Sequence, residues 1–332
     1  MATTVPNLAP DQVATAGARI VDYIHGPIIS SSDLDAHLAL FAAFGLREVG
    51  RVQRSDAQVR AIWGVCGHSC EEVALETPGS RFGLRLVRFS PGSDVVIRSE
   101  ARGSDSEALK VIDFYAPDLP AARCAIEAAG FVFRDAVAEY DTPEGRFQEA
   151  HLWGPDGVVC ALVSGEAEFF ERFATVRDRL VSEPQSISGP VRDPAATIEF
   201  FRRVFGLEPI HTYGVADDSF QALVGAGSTL KVRAWNVGTN TCEPYFGVID
   251  YGLPPGEQLS LAEVSRPAAR GLIGATLVVR DIGTIVDVAR GSGGTEPVEA
   301  VIPGLGLANI VTVPAPNGGW YQALQPIKSR TA

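Results

Sequence analysis

Four side chains stand out for the chemistry their types and spacing allow. His25 follows Tyr23 in an apolar stretch, Asp113 sits between Ile112 and Phe114, and Glu149 and His151 are two residues apart. On an extended strand, residues two apart share a face. Glu149 and His151 therefore place a carboxylate and an imidazole side by side, a pair suited to proton transfer near neutral pH. An Asp flanked by Ile and Phe is costly to bury alone, so Asp113 either has a polar partner and a role or lies at an exposed strand edge. The same two readings, working face or solvated face, apply to Glu149–His151 and to His211–Tyr213. Cys66-Gly67-His68-Ser69-Cys70 crowds three soft ligands too tightly for an ordinary zinc site, and no second pair completes four ligands; it reads as a turn. His37 falls on a helix and reads as a surface or core-edge residue.

The elements that must hold these groups repeat along the chain. Phe44-Gly45-Leu46 returns as Phe205-Gly206-Leu207, and Pro155-Asp156-Gly157 returns as Pro316-Asn317-Gly318, both at an offset of 161 residues. Two motifs sharing one offset point to an internal duplication. Each half divides again into two units, each with an apolar strand, a helix ending near Gly and then further strands. Unit one opens on Val21–Ile29, with Ser30–Asp33 as N-cap candidates, a helix over Leu34–Phe44 and strands expected around Arg60–Val65 and Gly83–Phe89. Unit two opens on Leu109–Tyr115, continues through a helix from Asp118 to Gly130, and ends in strands Gln148–Trp153 and Val158–Val163 around a Gly-Pro-Asp-Gly turn. Unit three opens on Ser186–Val191 with a cap at Asp193-Pro194, and unit four on Leu272–Val279 with a close at Trp320–Leu324.

This assigns the chain to the α+β class: four βαβββ modules forming two curved, barrel-like domains. The first domain is expected over 1–165, with modules at about 20–90 and 109–165, and the second over 184–332, with modules at about 184–236 and 270–326. A connecting helix over 166–183 carries Phe169, Phe170 and Phe173 between the halves. The Gly- and Pro-rich linker 237–269 lies over a cavity mouth or in a contact.

Unit pattern, Phe-Gly-Leu helix ending and late Pro-Asp-Gly turn together resemble the vicinal oxygen chelate superfamily, which includes glyoxalases, bleomycin-resistance proteins and extradiol dioxygenases. The helix ending Ile198–Leu207 and the turn Gly154–Gly157 carry the likeness most clearly, and it spans about residues 20–325. The resemblance implies paired modules around a cavity, often with a divalent metal held by His and Glu from first and last strands. That metal acts as a Lewis acid on two neighbouring substrate oxygens. His25 occupies the first-strand slot of unit one. The matching slots fall on Lys110 or Val111, Ser186 or Ser188, and Gly274, and the last-strand slots on Ala161 and Gln322. The usual ligand set is therefore missing. A metal site from His25 and Gln322 requires units one and four to share a cavity. One divalent ion (Fe, Mn, Zn or Ni) and no metal at all both remain open.

What the resemblance implies for function is a small-molecule enzyme, a lyase or isomerase working through an enolate or carbanion. In it His25 is ligand or base, and Asp113, Glu149 and His151 move protons. Trp63, Tyr115, Phe147 and Trp153 would line the cavity and favour a partly hydrophobic carbonyl or hydroxyl substrate. A ring-cleaving dioxygenase and a metal-free binding protein are the alternatives. A homodimer is compatible with the resemblance.

Composition limits the field further. Of 332 residues 46% are hydrophobic and 20% charged, with a net charge of −12, a globular composition that repels phosphate backbones and anionic lipid. Nucleic acid and membranes are poor partner choices. Met1–Gln12 lacks the pattern of a secretory signal, and five scattered cysteines do not form a disulfide framework. A cytoplasmic protein is expected.

Overall fold

A computed structural model of the chain describes residues 19–239, 243–254 and 256–327. Met1–Gln12 and Cys242 lie outside the described residues. Unit one comprises β1 (Val21–Ser30), α1 (Leu34–Ala43), β2 (Arg47–Arg54), α2 (Asp56–Trp63), β3 (Ser69–Glu76) and β4 (Gly83–Ser90). Unit two comprises β5 (Val111–Tyr115), α3 (Leu119–Ala128), β6 (Phe133–Thr142), β7 (Gly145–Trp153) and β8 (Val159–Ser164), followed by the short α4 (Ala167–Phe170). Unit three comprises β9 (Pro184–Pro190), α5 (Pro194–Phe205), β10 (Glu208–Val215), α6 (Asp218–Val224), β11 (Val232–Gly238) and β12 (Tyr245–Asp250). Unit four comprises β13 (Gly271–Val279), α7 (Gly283–Ser292), β14 (Val298–Ile302), β15 (Gly306–Pro314) and β16 (Trp320–Pro326).

The repeated motifs perform the same local work in both halves. Asp33, Asp118 and Asp193 each accept backbone N–H groups at the start of a helix, satisfying donors the first turn leaves free. Gly45 and Gly206 leave α1 and α5 at φ +85° and +64°, a region glycine enters without steric penalty. In the two late turns a Cβ on Gly157 would stand 1.9 Å from the Arg98 carbonyl oxygen, and one on Gly318 2.0 Å from that of Glu107. Only glycine lets those turns seat against the neighbouring backbone.

Among the described residues sixteen strands form two eight-stranded curved sheets, ordered β14-β15-β16-β13-β1-β4-β3-β2 and β10-β11-β12-β9-β5-β8-β7-β6. The first sheet joins units one and four through an antiparallel β1–β13 pair, with Gly26 opposite Thr276. The second joins units two and three through β5–β9, with Asp113 opposite Ser186. The expected grouping of consecutive units, 1–165 and 184–332, is thus not how the strands pair: the first and last units close one barrel and the middle two the other. The unit sequences admit either arrangement, and only the pairing of the opening strands decides.

Helices α1, α3, α5 and α7 fill the space between the two sheets, where one large core gathers Leu40, Phe41 and Phe44 with Phe114, Phe201, Phe205, Phe246 and Tyr321. Phe44 meets Phe114 at 4.7 Å, and Phe201 stacks on Phe246 at 4.8 Å while meeting Tyr321 at 5.3 Å. The barrels are also tied by Asp156, whose carboxylate accepts the Ser32 N–H and hydroxyl, each at 2.7 Å.

Three further expectations change. Arg60–Val65 is not a strand: a Ser55–Gln58 capping box and a left-handed Gly64 at φ 72° bound a helix over Asp56–Trp63. The connecting helix over 166–183 shrinks to Ala167–Phe170, because burying Phe170 and Phe173 against the second barrel turns the chain back. The segment 237–269 is not all linker, since Tyr245–Asp250 pairs with β9 and β11 as the last strand of unit three.

Candidate active site

The two barrel interiors differ in what fills them. In the first, the inward positions of β3, β4, β13, β15 and β16 carry Glu72, Arg85, Thr276, Thr312 and Gln322, all fully buried. One Glu72 oxygen accepts from Arg54 at 2.7 Å and Arg85 at 2.9 Å, and the other accepts the Trp63 indole N–H at 3.3 Å. Arg85 also donates to the Gln322 carbonyl oxygen at 2.5 Å and to Thr276 at 3.3 Å, and Gln322 donates to Thr312 at 3.2 Å. Burial opposes ionisation of Glu72, but the two guanidiniums outweigh it and hold the carboxyl below its ordinary range. Around this network Ile28, Val59, Ile62, Val87 and Phe89 complete a packed interior.

This arrangement answers the metal question for His25 and Gln322. Units one and four do share a barrel, as such a site requires. Yet the Gln322 oxygen is taken by a guanidinium, and a fixed positive charge stands where a cation would sit. His25 is fully buried, donates through Nδ1 to the Arg81 carbonyl at 3.0 Å, and has its pKa lowered to about 4, chiefly by burial. The donor set does not fit a divalent metal. His25 and Trp63 also lie in the barrel that excludes Asp113, Glu149 and His151, so the four expected catalytic residues do not form one site.

The second barrel is hollow. It holds an open-mouthed cavity of about 70 Å³. Strand β7 turns Phe147, Glu149 and His151 into it, as their alternation requires, and β5 contributes Val111 and Asp113. His151 donates through Nε2 to Glu149 at 2.7 Å, Tyr140 donates to the other Glu149 oxygen at 3.3 Å, and His151 Nδ1 has no partner among the described residues. The polar partner expected for a buried Asp113 is a pair of hydroxyls: Ser186 donates to its Oδ2 by a short hydrogen bond and Ser188 at 3.2 Å. Burial first and the Glu149 carboxylate second raise the Asp113 pKa to about 7, against the pull of the two serines and Lys110. Burial lowers that of His151 despite its Glu149 partner, so the imidazole is neutral at pH 7.

The walls are aromatic. Phe147, Phe169 and Phe170 face Tyr213, Tyr245 and Tyr251 across the space. His211 joins them, its ring 5.4 Å from Phe169 and its Nε2 4.0 Å from a Glu144 oxygen. Of the expected lining residues Phe147 faces the cavity. Tyr115 lies behind, stacked on Phe170 at 4.0 Å, and Trp153 lies off the lining with the Arg134 guanidinium 5.5 Å from its ring. Lys110, Tyr245 and Tyr251 are cavity residues that the sequence reading did not select. In the sequence Lys110 falls only at a first-strand ligand slot, and the two tyrosines fall in the Gly- and Pro-rich segment 237–269. A signal for Lys110 exists in the composition: the chain has three lysines against twenty-five arginines, and this one precedes an apolar strand.

At the junction of β5 and β9, the Asp113 level of the sheet pairs Asp113 with Ala161 and Ser186, and the neighbouring level pairs Ser188 with Gly247 and Val111. One carboxylate among hydroxyls, methyl groups and a glycine is not a metal-binding set. Among the described residues no three of His, Cys, Asp and Glu converge to hold an ion. Nor is any helix among them long and apolar enough to cross a membrane.

Solved structures share this architecture. Glyoxalase I from Zea mays superposes with a TM-score of 0.58 over 91% of this chain and 92% of its own, at 12% identity. A putative dioxygenase from Bacillus subtilis superposes with a TM-score of 0.56 over 93% of this chain and 86% of its own, also at 12% identity. The likeness is one of fold: this chain shares the architecture of these structures. No protein-family model matches it, and no curated protein matches its sequence.

Proposed function

We propose that the second barrel is the reaction chamber of an enzyme that moves protons on a small, partly hydrophobic carbonyl or hydroxyl compound, a lyase or isomerase working through an enolate-like carbanion. The observation that carries this is the cavity in which Asp113, poised near pH 7, faces the hydrogen-bonded Glu149–His151 pair between aromatic walls. A general acid or base works best with a pKa near the operating pH. Asp113 takes or returns the proton on carbon. Glu149 orients His151, whose neutral ring exchanges a proton with a substrate oxygen. The tyrosines and phenylalanines exclude water and hold an apolar substituent, and Ser186 and Ser188 fix the Asp113 carboxyl. The fold's Lewis acid has no fitting residues in either barrel, so no step is assigned to a metal. The ring-cleaving reading loses its His-His-Glu set for the same reason.

A test is solvent deuterium exchange into hydrophobic α-hydroxyketones and 1,2-dicarbonyl compounds, followed by proton NMR. Exchange by the native chain, lost in Asp113→Asn and Glu149→Gln and kept in His25→Ala, supports the reading. Binding of those compounds without exchange in any variant replaces it with a metal-free binding protein.

A further inference from the structure

Lys110 lines the cavity, and the proton-transfer scheme gives it no part. Its side chain is 2% exposed, and its Nζ donates to the Tyr251 hydroxyl at 3.0 Å. Among the described residues no carboxylate stands within ion-pairing distance of it, whereas the buried Glu72 of the other barrel contacts two guanidiniums. The other charges around it are mixed: Arg98 and Arg134 disfavour the ammonium, and Glu149 and Asp113 favour it. Arg98 is itself buried, with its Nη groups donating to the carbonyls of Arg102, Asp105 and Ala108. Burial without a carboxylate partner shifts such a lysine toward its neutral, nucleophilic form. The chain otherwise meets nearly every need for positive charge with arginine, which cannot lose its proton, and it places a lysine here.

We propose that Lys110 forms a covalent imine with the carbonyl carbon of the substrate, which supplies the electron sink for the proton transfer at Asp113. This rests on the function proposed above and names its electrophile. The Nζ lone pair attacks the carbonyl carbon, and the C=O π pair moves to oxygen, which takes a proton. Tyr251, its hydroxyl 3.0 Å from Nζ, takes the amine proton as it gives its own to that oxygen. A second protonation expels the hydroxyl as water and leaves an iminium. Asp113 then removes the adjacent C–H proton, and the bonding pair moves into a C–C double bond to give an enamine. Reprotonation and addition of water reverse the sequence and free the lysine. Burial lowers the Lys110 pKa to about 7, which leaves a substantial fraction of free amine at neutral pH.

The test is reductive trapping with sodium borohydride of the full chain incubated with 2-hydroxyacetophenone and with each carbonyl compound that undergoes deuterium exchange, read by peptide mass spectrometry. The expected result is a gain of the ketone's mass less one oxygen on Lys110, with exposed Lys231 unlabelled as an internal control. Lys110→Met and Lys110→Arg lose both label and exchange. If Lys110→Met does not fold, the position of the label in the native chain still decides. Exchange that proceeds with no label on Lys110, or that survives at full rate in Lys110→Met, overturns the imine and leaves proton transfer standing. Absence of exchange with every compound removes both proposals.

Discussion

The two barrels are built from the same unit, yet one is plugged by charge and the other is kept open around it. In the first, Glu72 is shared by Arg54 and Arg85, and Gln322 and Thr276 accept from Arg85. The carboxylate and the amide are engaged by guanidiniums and a hydroxyl, and apolar side chains pack around them. In the second, Lys110 is buried and Asp113 half-buried, and they are held by neutral hydroxyls of Tyr251, Ser186 and Ser188. Compensated charge makes a core; charge held only by hydroxyls near its titration point makes a site. Duplication supplied two copies of a cavity, and the difference lies in a handful of inward side chains.

The largest test breaks the plug. Glu72→Leu strands two buried guanidiniums and should cost about 3–5 kcal/mol in urea unfolding, whereas Glu72→Leu with Arg85→Met recovers much of that loss. Comparable loss in single and double variants would show that Glu72 and Arg85 do not act as one unit. Next in size is the opposite response in the second barrel. Asp113 titrates near 7 when folded against an ordinary 3.8, so the folded chain holds this proton more tightly and stability falls as pH rises between those values. Asp113→Asn should therefore raise Tm at pH 8 by a few degrees while slowing deuterium exchange about 100-fold or more. A lower Tm at pH 8 would place the carboxylate among the stabilising groups.

Lys110 sharpens the same contrast from the basic side. Its folded pKa near 7 lies below the ordinary 10.5, so the unfolded chain binds this proton first as pH drops from about 10.5 to 7, and stability declines over that interval. Lys110→Met should flatten that part of the stability profile, measured by thermal melts across pH 7 to 10. The smallest effect is expected at His25. Lowered to about 4 from 6.5, it makes the folded chain lose stability as pH falls through that window, and His25→Gln should lessen the loss by on the order of 1 kcal/mol without altering exchange. Exchange abolished in His25→Gln would return the chemistry to the first barrel.

Much of the architecture is carried by local chemistry. Aspartate caps at 33, 118 and 193, glycine stops at 45 and 206, and two glycine turns at 157 and 318 each act over a few residues. The alternation of β7 likewise forces Phe147, Glu149 and His151 onto one face, so their common cavity follows from the backbone period alone. Those features are legible because their causes lie within one element. Which opening strands pair is not of this kind. A β1–β13 or a β1–β5 pair would satisfy the same hydrogen bonds and bury similar apolar strands, and the choice places His25 beside Arg85's barrel rather than beside Asp113. Lys110 and Tyr251 are 141 positions apart, and Asp113 meets Ser186 across the β5–β9 junction. Their meeting, and with it the titration of the site, depends on burial and long-range contact, which only the assembled barrels create.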